Sequence, residues 1–259
     1  MRLGITGASG KMGQVLIAAI SILPEFKLQA IFLRSANKLS NEMHFQDLII
    51  TDSTEILCEN VDVIIDFSCP SMTLQLAKSA AKHAKPLISG TTGLSSQELS
   101  RLKEQANFIP IVYASNMSIG INLVQILLDK LAKTLDTSFD IEIIEKHHRN
   151  KIDSPSGTAL MLAKAITDSK NINFYENIIY SREGCTGQRP EGKIGISSVR
   201  GGSIIGEHDI MFISDAEIIK VSHQALNRNI FVNGALKACQ WIIKQPPGLY
   251  SMQDVLATT

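Results

Sequence analysis

Residues 1–13 read MRLGITGASGKMG, and their order decides the fold. MRLGIT (1–6) is a short apolar run of strand character, and GASGKMG (7–13) places glycines at Gly7, Gly10 and Gly13. VLIAAISIL (15–23) continues with helical character. Strand, glycine turn and helix in this succession open a dinucleotide-binding βαβ unit. The spacing is GxxGxxG rather than GxGxxG, but the physical work is the same: a tight turn, close backbone approach to a pyrophosphate, and helix packing. The plain alternative is an ordinary strand-to-helix turn. Its place at the head of an alternating strand–helix chain favours nucleotide binding.

Working outward, KLQAIFLRS (27–35) predicts a second strand. In units that take NAD, an acidic residue near the end of this strand bonds the ribose hydroxyls. Here the strand ends in Leu33 and Arg34. An arginine suits a 2′-phosphate, with Lys11 adding to the same pocket, so NADPH is favoured and NADH remains possible. VDVIIDFS (61–68) is a continuous apolar strand of the kind that parallel sheets bury on both faces. Asp66 at its end is expected to be a structural cap or hydrogen-bonding partner, not an acid catalyst. SMTLQLAKSAAKHA (71–84) reads as a helix with His83 on its exposed side. PLIS then ends in Gly90-Thr91-Thr92-Gly93, Ser95 and Glu98 have capping-box spacing, and IPIVYASNMS (109–118) repeats strand then small polar loop. Such strand ends line the ligand crevice of a doubly wound sheet, so GTT and ASNM are candidates for the nicotinamide half of a cofactor.

Residues 119–135 predict a long amphipathic helix leading out of this first domain. Residues 140–221 then turn β-rich around one helix, and 229–244 is helical again. Within the second part, EKHHRNKIDSPSGTA (145–159) joins a strand, DIEII (140–144), to a helix, LMLAKAI (160–166). A serine of SPSGT suits the N-cap, and Pro155 suits the first helical position. That arrangement leaves the amides of Ser156, Gly157 and Thr158 facing out of a helix N-terminus, a natural carboxylate or phosphate site. Cationic side chains from the same loop neutralise such an anion, and a histidine near its ordinary pKa donates protons near neutrality. The blander reading is a solvated basic loop. The surrounding fold favours an anion-binding, proton-donating site.

Composition narrows the classes. At 259 residues with 44% hydrophobic content, the chain suits one large or two modest globular domains. Lysine plus arginine equal aspartate plus glutamate at 25 each, so no basic bias points to nucleic acid. No apolar run approaches the roughly 20 residues that span a bilayer, and no secretory signal is seen. Cys58, Cys69, Cys185 and Cys239 are scattered without a CxxC pair, so no metal site or disulfide framework is expected, and a reduced cytoplasm suits them.

GASGKMG, SGTTG, ASNMSIGIN, EKHHRNKIDSPSGTA, RGGSIIGEHDIMF and PPGLYSMQDVL occur in an order that resembles the bacterial 4-hydroxy-tetrahydrodipicolinate reductases, also called dihydrodipicolinate reductases. The resemblance spans essentially the whole chain. It implies an α/β fold: a Rossmann-type doubly wound parallel sheet over 1–118, completed by 229–259, plus an α+β substrate-binding and oligomerisation domain with a mixed sheet over 119–228. It implies NAD(P)H-dependent reduction of a cyclic dicarboxylate in diaminopimelate and lysine biosynthesis, by a homotetramer. His147 matches the proton donor and Lys151 the lysine assigned to catalysis and substrate charge. His148, Gly157 and Thr158 match positions holding substrate carboxylates. Gly7, Ala8, Ser9, Gly10, Lys11 and Met12, with Gly90, Thr91 and Thr92 and with Ala114, Ser115, Asn116 and Met117, match the cofactor segments. Arg34 matches a basic residue that follows an acid in some members, and Leu33 stands here where that acid would be. The competing readings are another two-domain Rossmann oxidoreductase, which has no reason to carry HHRNK before SPSGTA, and a nucleotide sensor, which needs no proton donor beside an anion cradle.

Overall fold

In the computed structural model, which describes residues 1–34, 47–180 and 182–257, the opening stretch folds as β1 (Arg2–Thr6), a glycine turn and α1 (Lys11–Ile20). The helix begins inside the glycine motif: Gly10 is the N-cap, so Lys11, Met12 and Gly13 form its first turn. β2 (Lys27–Phe32) follows, while Ser35, expected at the end of that strand, lies outside the described residues. β3 (Ile49–Thr51) and α2 (Thr54–Asn60, capped by the Ser53 hydroxyl) come next, and neither was expected from the sequence. The chain continues through β4 (Val63–Asp66), α3 (Pro70–Lys82), β5 (Leu87–Ser89), α4 (Ser96–Gln105) and β6 (Pro110–Tyr113). Ser95 and Glu98 form the reciprocal capping box at the start of α4 that their spacing predicts. His83 corrects its expectation. It caps the C-terminus of α3, half-buried, with Nε2 2.6 Å from Glu55 of α2, because a carboxylate there gives it a partner.

After α5 (Ile119–Thr134) the chain forms β7 (Asp140–His147), α6 (Gly157–Ser169), a short α7 (Phe174–Asn177), β8 (Ile178–Ile179), β9 (Ile194–Arg200), β10 (Gly206–Ile213) and β11 (Ile218–Ala225). α8 (Asn229–Ile242), β12 (Gly248–Tyr250) and α9 (Met252–Ala257) close it.

Two compact units result, Met1–Ile119 with Arg228–Thr259, and Gly120–Asn227. The first holds a seven-stranded sheet in the order β12-β6-β5-β4-β1-β2-β3, with every neighbouring pair parallel. Six of those strands keep the 3-2-1-4-5-6 order of a doubly wound nucleotide-binding sheet, and β12 extends it. Alternation along the strands feeds two cores. Leu3, Ile5, Val63 and Ile65 meet α1 and α8 on one face, while Ile64, Leu87 and Ile111 meet α2, α3 and α4 on the other. Burial on both faces is why these strands read as unbroken apolar runs.

The second unit holds a mixed five-stranded sheet, β11-β10-β7-β9-β8. β10 runs antiparallel to β7 and β11, whereas β7, β8 and β9 are parallel. One face packs Ile141, Ile143, Ile194, Ile210 and Phe212 under α5 and α6.

β7 is longer than the apolar pattern DIEII suggests. Its inward positions continue from Ile141 and Ile143 to Glu145 and His147, which are buried although polar. They sustain the strand because each gives the other a hydrogen-bond partner, which a buried polar group needs.

Candidate active site

The carboxyl ends of β1, β2, β4, β5 and β6 bring the expected cofactor residues to one edge of the sheet. A cavity of about 400 Å³ opens there, lined by Gly7, Ser9, Gly10, Arg34, Ser68 and Cys69 among others. Its floor admits no side chain. Gly7 has φ +74, and a Cβ on it would fall 2.1 Å from the Phe67 carbonyl oxygen, while one on Gly13 would fall 2.3 Å from the Gly7 oxygen. The turn is therefore drawn tight against both strand and helix, and the N-terminus of α1 faces the space that it leaves. These features fit a dinucleotide pyrophosphate. Arg34 is exposed at the rim, its Nη2 3.5 Å from the Cys69 sulfur.

The remaining expected cofactor residues differ in what they offer. Ala8 and Met117 are buried in the core, Met12 packs against it, and Lys11 is exposed. A Cβ on Gly234 of α8 would fall 1.7 Å from the Met117 carbonyl, so the loop after β6 is clamped onto that helix. Gly90 leaves no room for a side chain beside the Phe67 ring, Thr91 is buried, and Thr92, Ser115 and the half-buried Ala114 and Asn116 lie nearer the surface.

Asp66 ties these loops together. The carboxylate is fully buried and accepts hydroxyl protons from Thr6 (2.5 Å), Thr73 (2.5 Å), Ser89 (3.0 Å), Thr91 (2.9 Å) and Ser68. With its proton turned toward Asp66, Thr91 Oγ1 accepts in turn from the Ser68 amide at 3.1 Å. Asp66 is the structural hydrogen-bonding partner that its position at a strand end suggests.

In the second unit, β7 delivers the other constellation. Glu145, fully buried, receives Arg200 Nη2 on Oε1 (2.7 Å) and Arg200 Nη1 on Oε2 (2.8 Å). The Ser156 amide donates to Oε1 at 3.1 Å, and His147 Nδ1 lies 2.6 Å from Oε2. Burial pushes the Glu145 carboxyl up, but its donors, Arg200 foremost, outweigh that and hold it at about 2. Burial also lowers the His147 pKa below its ordinary value, with Glu145 opposing the shift. His208 of β10 stacks edge-on against His147 with ring centroids 5.3 Å apart, and burial drives its pKa down to about 4.

The loop between β7 and α6 departs from its expected form in one respect. The N-cap of α6 is Ser156, whose hydroxyl accepts from the Ala159 amide, and Pro155 precedes the cap instead of opening the helix. The Ser156 amide consequently turns inward to Glu145, and the first turn of the helix begins at Gly157 and Thr158. A Cβ on Gly157 would meet no protein atom within 4 Å, so the space over that turn is open. His148 Nδ1 is buried without a partner, and Lys151 Nζ sits 2.9 Å from Asp153.

Sequence reasoning gave no role to Glu145, Arg200 or His208. Their signal is strand register: His208 pairs with Glu145 across β10 and β7, and Arg200 with His147 across β9 and β7.

A Rossmann-type sheet with a glycine turn, in a chain whose second unit carries a buried histidine and an open helix N-terminus, fits the class of nicotinamide-dependent two-unit oxidoreductases. Residues 1–117 match the family model described as dihydrodipicolinate reductase, N-terminus, and residues 120–256 match dihydrodipicolinate reductase, C-terminus. The chain belongs to the dihydrodipicolinate reductase family. It is 42% identical to 4-hydroxy-tetrahydrodipicolinate reductase of Psychrobacter arcticus, covering 99% of this chain and 95% of that protein. The Rickettsia rickettsii protein of the same name is 43% identical, covering 98% of each. Among solved structures, the dipicolinate-bound dihydrodipicolinate reductase from Paenisporosarcina sp. TG-14 superposes with a TM-score of 0.80 at 25% identity over 98% of each chain. The NAD(H)- and scyllo-inositol-bound scyllo-inositol dehydrogenase of Lactobacillus casei shares the fold at a TM-score of 0.61 and 13% identity, over 99% of this chain and 93% of that one.

Proposed function

We propose that this chain reduces 4-hydroxy-tetrahydrodipicolinate to tetrahydrodipicolinate with NADPH as the favoured donor and NADH as an alternative, a step of diaminopimelate and lysine biosynthesis. The substrate's hydroxyl leaves with a ring hydrogen as water, and one hydride and one proton enter the ring. When bound, the nicotinamide cofactor supplies the hydride. The glycine turn at Gly7–Gly13 holds the pyrophosphate against backbone amides, and Arg34 meets a 2′-phosphate at the rim. The loops at Gly90–Thr92 and Ala114–Met117 support the nicotinamide half.

The substrate carboxylates are held by the first turn of α6 at Gly157 and Thr158 and by His148. Lys151 is drawn from Asp153 to the substrate dianion and stabilises developing negative charge. His147 donates the proton. Burial keeps its imidazolium more acidic than an ordinary histidine, so kcat/KM falls as pH rises through a pKa below 6.5. The observation that carries the reading is the buried histidine beside an open helix N-terminus in a chain whose relatives bear this name.

We place the protein in the cytoplasm, consistent with four free cysteines, and as a homotetramer built through the second unit's sheet. Among the described residues, no helix is long and apolar enough to cross a membrane. The test is the loss of NADPH and NADH absorbance with substrate generated from pyruvate and aspartate semialdehyde. Saturable oxidation, faster with NADPH at subsaturating cofactor, is expected. Cofactor binding without oxidation would overturn the reading in favour of a sensor.

A further inference from the structure

Hydrogen bonding at Glu145 is saturated. Two guanidinium N–H groups of Arg200, the Ser156 amide and His147 Nδ1 converge on its two oxygens within 2.6–3.1 Å, and the side chain is fully buried. Four donors on one carboxyl require the ionised form, which can only accept. The imidazole proton that faces Glu145 therefore resides on Nδ1 whether His147 is neutral or charged. The other ring nitrogen has a different setting. A Cβ on Gly206 would lie 3.1 Å from Nε2, so the glycine leaves that edge of the ring clear of a side chain.

We propose that Glu145 is the positioning residue of His147: its carboxylate, clamped by Arg200 and the Ser156 amide, fixes the Nδ1–H tautomer and commits Nε2, beside Gly206, to proton donation. The proposal rests on the reading of His147 as the proton donor. Glu145 touches no substrate in this scheme and acts only through the histidine. An orienting carboxylate fixes the tautomer of a catalytic imidazole and stabilises the imidazolium. The charged and titratable groups facing His147 divide by element. Glu145 on β7 favours the imidazolium. Arg200 on β9, Lys151 from the following loop and the His208 ring on β10 oppose it or stay neutral, with His223 standing across from His208 on β11. Glu145 is the single acid in contact with the ring among the described residues, so its removal has a definite sign.

Two measurements on the full-length protein test this. The first uses the unaltered chain. Long-range proton–nitrogen NMR of histidine-labelled protein, assigned by the signals missing from His147→Gln, reads the neutral tautomer of His147 at alkaline pH. Nδ1–H with a bare Nε2 is expected, and the Nε2–H tautomer would overturn the proposal. The second compares Glu145→Gln with Glu145→Asp. The glutamine variant is expected to lose turnover about 10- to 100-fold. Its alkaline limb in kcat/KM should move to lower pH by about one unit, with NADPH affinity unchanged and partial rescue by aspartate. A variant that loses only thermal stability, with the limb in place, would assign Glu145 a merely structural role. Should the unaltered protein fail to oxidise NADPH, the parent reading fails while the tautomer measurement still decides the geometry.

Discussion

Asp66 and Glu145 are both fully buried carboxylates at or near the ends of strands, yet they are satisfied by opposite means. Asp66 gathers five neutral hydroxyls, from Thr6, Ser68, Thr73, Ser89 and Thr91, and among the described residues it pairs with no cation. Glu145 gathers a guanidinium, an imidazole and an amide. Neutral donors spread over separate loops make a knot: they fix backbone geometry, and their protons have no reason to move during turnover. A cation and a titratable ring make a relay, because the charge on one partner depends on the other. The first arrangement suits a cradle that must hold a cofactor the same way in every cycle. The second suits a site where a proton leaves and returns.

The pH axis should separate the two regions most strongly. His208 belongs to the neighbourhood of Glu145, and its pKa is about 4 in the fold against about 6.5 when unfolded. Its neutral form is the one that folding favours, so the stability it permits is present above pH 6.5 and is lost as pH falls from 6.5 to 4. The difference is on the order of 3 kcal/mol. Urea denaturation at pH 7 and pH 4.5 should show the loss, and His208→Gln should flatten the slope. An unchanged slope in that variant would place the effect elsewhere.

A smaller effect is expected at the knot. In Asp66→Asn the new amide donates where hydroxyls of Thr73, Ser89 and Thr91 now also donate, so hydroxyls must turn and some lose their partners. About 1–3 kcal/mol of stability should be lost, with NADPH affinity weakened and the alkaline limb of kcat/KM left where it is. A shift of that limb would erase the distinction between the two carboxylates.

The same contrast explains what the sequence revealed. The glycine turn, the apolar strands and the Ser95–Glu98 box are local patterns, and local patterns survive reading from one dimension. β3 and α2 escaped because one has three half-exposed or exposed residues and the other seven residues with a single serine cap. Along β7 hydrophobicity stops at Ile144, although the alternation of buried positions runs on to His147. Asp66 could be placed by its position at a strand end, but its donors come from as far as 60 residues away. Arg200 lies 55 residues beyond Glu145, and only the pairing of β9 with β7 brings it back. Pro155 falls before the N-cap instead of opening the helix, and the Ser156 amide goes to Glu145, a partner that helix-capping rules do not see.

The central claim, that the cofactor cradle and the proton relay are separate devices, meets its most direct test in one variant. The dissociation constant for NADPH should be measured by fluorescence in His147→Gln alongside its turnover. Turnover down by about 100-fold or more with the NADPH constant unchanged is the predicted result. An equal loss in both would contradict the account, because it would mean that His147 serves the cradle and not the proton.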